Sequence, residues 1–188
     1  MFESIRRFIE QRRFRKDLTN MRALIRLFVE SIHDIARKHE CENALNGLEV
    51  HVLGTFVVSE IYLGLSRDNA TAVKVLNDFH TSAVVSLLNN NLSSLQKKWT
   101  DDDTGAMYDQ FASAFQDKTK QRYPEFRDIL LDEKGQFYPF SMSDFPDIGS
   151  HLLNHSSNVN SESEEVLTFL FFAAVVDHMS RCNKALKH

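Results

Sequence analysis

The stretch LEVHVLGTFVVSEIYLGL, residues 48–65, runs through SRDN, residues 66–69, into ATAVKVLNDFHTSAVVSLLNNNLSSL, residues 70–95. Its first arm is apolar nearly all round, and Leu53, Phe56, Val57, Val58 and Ile61 fit no single stripe. A helix of that kind is enclosed by other helices. The polar turn is short, so the two arms run antiparallel. Asp68 or Asn69 is placed to cap the second arm. That arm carries a stripe of Val73, Leu76, Ala83, Val84, Leu87 and Leu95, with His80 in its middle.

The polar residues of the first arm fall into two sets. His51, Thr55 and Ser59 follow one another at intervals of four, on one ridge. Glu60 lies elsewhere, among Leu53, Phe56, Val57 and Gly64, where a carboxylate needs a partner or a proton. Counting back from the turn, position 80 falls opposite about position 55, which makes Thr55 the expected neighbour of His80. Gly54 and Gly64 each weaken the helix by about 1 kcal/mol, and their expected use is close helix approach.

The hairpin needs other helices around it, and the chain supplies them. Residues 2–16 read as a basic amphipathic arm, with Phe2, Ile5, Phe8 and Ile9 on one side. Asp17 then caps a second helix over 17–39, whose stripe is Met21, Leu24, Ile25, Phe28, Ile32, Ile35 and Ala36. Glu30 is set to pair with Arg26. Asn46-Gly47 reads as a stop or turn. Asp101, Asp102 and Asp103 open a helix whose dipole they complement. Its inner face is Met107, Phe111, Ala114, Phe115 and Lys118, and Pro124 is expected to end it before a short helix over 125–131. Residues 132–160 form an aromatic-rich loop expected to cover the bundle. The last helix, 162–186, contains the apolar run Phe169 to Val176 and is expected to be buried on most sides.

These elements make an all-α fold, a bundle of about five to seven helices over residues 1–188 read as one domain. The helices over 48–65, 69–92 and 162–186 are expected at its centre, flanked by those over 17–39 and 102–122. Three prolines and six glycines in 188 residues suit long helices better than a turn-rich β fold. The chain is long enough to bury a core without metals or disulfides. The two cysteines are too few for a disulfide framework, which points to a reducing, cytoplasmic compartment. A net charge of -4 gives no global field toward nucleic acid.

Few motifs carry chemistry. The chain has no phosphate-binding glycine loop, no nucleophile elbow, no zinc cysteine pair and no Glu-x-x-His. Asp101, Asp103 and Gly105 resemble the start of a calcium loop, but Ala112 stands where the closing glutamate belongs. His151 and His155 share a helical face without further ligands beside them. No cofactor and no metal are expected. The candidate site residues are the polar groups on apolar helices: Glu60, His80, His178, Asp177 and His51. Three functions follow from these features. The first is a non-enzymatic interaction or regulatory protein whose partner is another protein or a second copy in a homodimer. The second is a helical enzyme or small-ligand binder using Glu60, His80 and His178. The third is a membrane-surface protein working through residues 2–16.

Overall fold

The computed structural model describes residues 2–66, 68–94, 101–137, 152 and 161–187. Among these residues the fold is all-α, with five helices: α1 (Phe2–Lys38), α2 (Gly47–Leu65), α3 (Asn69–Ser94), α4 (Asp101–Leu130) and α5 (Ser161–Leu186). The number falls at the lower end of the expected range because two predicted breaks are absent.

Asp17 does not start a new helix. α1 runs unbroken through it for 37 residues, about 55 Å at 1.5 Å per residue. The Asp17 carboxylate is buried and accepts a hydrogen bond from the Tyr62 hydroxyl at 3.0 Å, so its partner is on α2 and not in its own first turn. Pro124 does not end α4, which continues from Asp101 to Leu130. The proline is exposed, so its ring sits on the outer side of α4, where a gap in the helical hydrogen-bond ladder is tolerated.

Helix starts follow the local chemistry more closely. Asn46 accepts from the Glu49 amide at 3.3 Å, so Asn46-Gly47 opens α2 where a stop was expected. Asp68 accepts from the Ala70 amide at 3.1 Å and from the Thr71 hydroxyl, and so fixes the α2–α3 turn. α5 begins at Ser161, one residue before the expected 162.

α2 is the hub. It packs against α1, α3, α4 and α5, and nearly every residue from Glu49 to Tyr62 is buried. By length and composition α2 is apolar enough to cross a membrane, yet most of it is enclosed by its neighbours. α1 packs on α2, α3 and α5 and is more central than a flanking helix. Its predicted stripe is the buried one, from Met21 to Ala36. On α3 most of the predicted stripe is buried, namely Leu76, Ala83, Val84 and Leu87, and Ala72, Val75, Phe79 and Leu88 join it. Val73 is instead 53% exposed, and Leu95 lies outside the described residues.

α5 is amphipathic and is not buried on most sides; among the described residues it packs on α1 and α2. Phe171, Phe172 and Val175 are inside, but Phe169 and Val176 are 42% and 37% exposed. Of the two glycines expected to permit close approach, Gly54 does. A Cβ there would stand 2.8 Å from the Phe28 ring. Gly64 has nothing near it.

Beyond α4, Leu131 bridges to Phe137 around Asp132, whose carboxylate accepts from the amides of Lys134 and Gln136. Gly135 supplies the positive φ of 70° that this turn requires. Most of the expected covering loop, and His151 and His155 with it, lies outside the described residues. Leu152 is described. It is fully buried, and its carbonyl accepts from the Asn46 amide at 3.0 Å.

Candidate functional site

The five candidate residues occupy three separate places. Glu60 and His80 belong to a polar cluster between α2, α3 and α4. Ser59 Oγ lies 3.2 Å from His80 Nε2, and Tyr123 Oη lies 3.4 Å from the same nitrogen. The neighbour of His80 is therefore Ser59 and not Thr55, one helical turn closer to the α2–α3 connection. Thr55 instead donates to its own helix, to the His51 carbonyl at 2.7 Å. Desolvation lowers the His80 pKa and favours the neutral imidazole, whose Nε2 shares hydrogen bonding with the hydroxyls around it. Burial raises the Tyr123 pKa, and the charge of Glu60 adds to the effect. Glu60 pairs with Arg127 of α4, an arginine that is itself well exposed.

Serine beside histidine is the beginning of a nucleophile–base arrangement. Ser59 is buried, however, and lines neither of the cavities between α1 and α3. The cluster ties three helices together.

Asp177 and His178 are neighbours in sequence with different surroundings. Asp177 is exposed and pairs with Arg181 one turn on, at 2.6 Å. His178 is buried, stacked on Phe28 with ring centroids 4.5 Å apart, and bonded to the backbone of Gly54. Gly54, Phe28 and His178 thus form the junction of α2, α1 and α5. Cys182 Sγ lies 3.7 and 3.8 Å from the two ring nitrogens. Burial pushes the thiol up to about 12 and the imidazole down to about 4. Both partners are then neutral, and the pair lacks the thiolate of a reactive cysteine.

His51 is the member of the set that faces open space. A cavity of about 600 Å³ lies between α1 and α3, and His51 on α2 is part of its lining. A second cavity of about 460 Å³ adjoins it, and Arg22, Ser82 and Ser86 line both. The His51 ring is 4% exposed and its Nδ1 lies 2.9 Å from the Gly47 carbonyl. A carbonyl only accepts, so Nδ1 carries the proton and Nε2 is a bare acceptor. Burial, with a smaller contribution from His33, lowers the His51 pKa and keeps the ring neutral.

Arg22 stands over the boundary of the two cavities. Its guanidinium donates to Ser82 Oγ, and the Ser82 hydroxyl donates onward to the Asp78 carbonyl at 2.7 Å. Arg22 has no ion-pair partner among the described residues. Arg26, one turn along, is paired with Glu30 at 3.7 Å, as the spacing predicts.

Two features escaped sequence reading. The first is Arg22 with its cavity, since exposed arginines on an outer helical face carry no distinguishing signal. The second is Glu49, almost fully buried, whose Oε1 takes both Lys118 at 3.1 Å and Arg122 at 2.9 Å. Lys118 on the inner face of α4 was the available sign of it. Glu49 Oε2 is buried and has no hydrogen-bond partner among the described residues. This group clamps the start of α2 to α4, and Arg122 is held in turn by Glu125. No group of three or more potential metal ligands occurs among the described residues. Compared with known proteins, the chain matches no protein family, no curated protein and no solved structure.

Proposed function

We propose that this protein is a small-ligand-binding helical bundle whose site is the cavity between α1 and α3. One observation carries the reading: a cavity of about 600 Å³ lined by a buried, neutral histidine with a free acceptor nitrogen. Volumes of that order suit small organic ligands, and their sites combine apolar walls with a few placed polar groups. Here Ile25, Val29, Phe79 and Ala83 supply the walls, and Arg22, His51 and Ser82 the polar groups. Glu60, His80 and His178 have no part in this site. The bundle works by occupancy rather than by catalysis, and two unpaired thiols accord with a cytosolic setting.

The test is a blocked cavity. Ser86 is exposed and lines both cavities, so Ser86→Trp fills the space without disturbing the core. Native mass spectrometry of gently purified protein is expected to show a small-molecule adduct that Ser86→Trp lacks. Identical spectra without adducts, together with identical melting shifts across a metabolite library, would remove the reading.

A second reading, association with another copy of the chain, is favoured by the outer face of α5. Val166, Phe169 and Val176 are 44%, 42% and 37% exposed, and with exposed Ala173 they repeat at three, four and three residues. That spacing is the seam of a two-helix coil. Light scattering of Val166→Lys against the unmodified protein decides it, since a dimer on this seam becomes a monomer.

A further inference from the structure

Building on the cavity reading, we infer that the ligand is a small amphipathic carboxylate with a hydrogen-bond donor at the end remote from its charge. The inference rests on the polarity of the two ends of the cavity. At the inner end, His51 is more than nine-tenths buried and lines the space. Its Nδ1 proton is committed to the Gly47 carbonyl, and no described residue bonds Nε2. That nitrogen has no proton to give, so it recognises a hydroxyl or N–H and repels the lone pairs of a carbonyl or ether.

At the outer end stands Arg22. The Ser82 hydroxyl receives one of its N–H groups and so fixes the guanidinium without neutralising it. Four donors remain in a planar fork that matches a carboxylate. Of the other charges at the opening, Arg26 is paired with Glu30, and Asp78 lines the adjoining cavity together with Arg22 without an ion pair between them among the described residues. Arg22 is thus the cation free to take an anion, and the apolar walls between it and His51 hold the body of the molecule.

Three matched probes separate the two ends by calorimetric titration. 3-(4-Hydroxyphenyl)propionate has both features, its primary amide lacks the charge, and its methyl ether lacks the donor. The acid is expected to bind best. Losing either feature is expected to cost about tenfold or more in Kd. Arg22→Gln weakens the acid to the level of the amide and leaves the amide unchanged. His51→Phe weakens the acid to the level of the ether and leaves the ether unchanged. Arg22→Lys, which keeps the charge and loses the fork, falls between, and melting curves establish that each variant is folded. Equal binding of all three probes, with no response to Arg22→Gln, overturns the inference while leaving a ligand-binding cavity in place. Failure of all three to bind the unmodified protein overturns both.

Discussion

His51 and His80 are alike in several respects. Both sit on helices of the central hairpin, both are largely buried, and in both desolvation favours the neutral ring. They differ in what meets the second nitrogen. Two hydroxyls, from Ser59 and Tyr123, converge on His80 Nε2. His51 Nε2 meets cavity. A satisfied polar group in a packed interface holds helices in register. An unsatisfied one beside enough space for a ligand is what the proposed recognition role rests on. Residue type is the same in the two places and His80 is only somewhat less buried than His51, so the distinction lies chiefly in free volume and in pairing.

The largest expected effect concerns a third histidine that belongs with the closed class. The pKa of His178 falls from 6.5 to about 4, because burial disfavours its charged form. Above pH 6.5 the folded and unfolded chains are both neutral at this position, and nothing is lost. Below 6.5 the unfolded chain takes a proton that the folded chain refuses, so stability falls as pH falls toward 4. The loss from His178 alone is on the order of 3 kcal/mol by pH 4. His51 and His80 shift in the same direction and add to it. Urea denaturation between pH 7 and pH 4 measures the slope, and His178→Phe should flatten it.

Next in size is His80→Leu. It leaves the Ser59 and Tyr123 hydroxyls without their shared ring partner, and should cost about 1–3 kcal/mol in chemical denaturation. Ligand binding at the α1–α3 cavity should not change. His51→Leu should do the opposite. Its stability should stay within about 1 kcal/mol of the parent, because Nε2 leaves no protein partner behind, while binding of the acid probe falls to the level of the ether. Equal destabilisation by the two leucine variants would erase the distinction between the sites.

The smallest effect is expected at Glu60. Its side chain is only 11% exposed, but Arg127 opposite is 60% exposed, so solvent screens the pair. Glu60→Gln should cost less than about 1 kcal/mol, and that cost should shrink in high salt. A value well above this would move Glu60 into the cluster around Tyr123 as a full member.

Much of the fold is legible in the sequence, because the periodicity of α1 and the all-round apolarity of α2 record what each helix packs against. The helix starts at Asp68 and Ser161 are legible for a similar local reason. What is not legible depends on partners distant in the chain. Asp17 looks like a cap until Tyr62, 45 residues away, reaches its carboxylate. Pro124 looks like a stop because sequence does not show that its turn faces water. Ser59, and not Thr55, meets His80 because the register of a hairpin is set by packing and not by counting from its turn. The candidate site was half visible. His51 stood out as a polar residue on an apolar helix, whereas Arg22 and the cavity exist only once α1 and α3 lie side by side.

Pro124 has a consequence for how the molecule breathes. It lacks an amide proton, so the carbonyl four residues earlier, at Lys120, has no helical donor. The turn of α4 that contains this gap also carries Arg122, Tyr123 and Arg127, its contacts to Glu49, His80 and Glu60. Among the described residues α4 packs chiefly on α2 and α3, and it contributes none of the described lining of the α1–α3 cavity. Local opening is cheapest where a helix has few neighbours and an interrupted hydrogen-bond ladder. Amide deuterium uptake should therefore rise first around residues 120–127, while the core of α2 and the α1 segment bearing Arg22 stay protected. The bundle loosens along one seam, and that seam leaves the walls of the binding cavity standing.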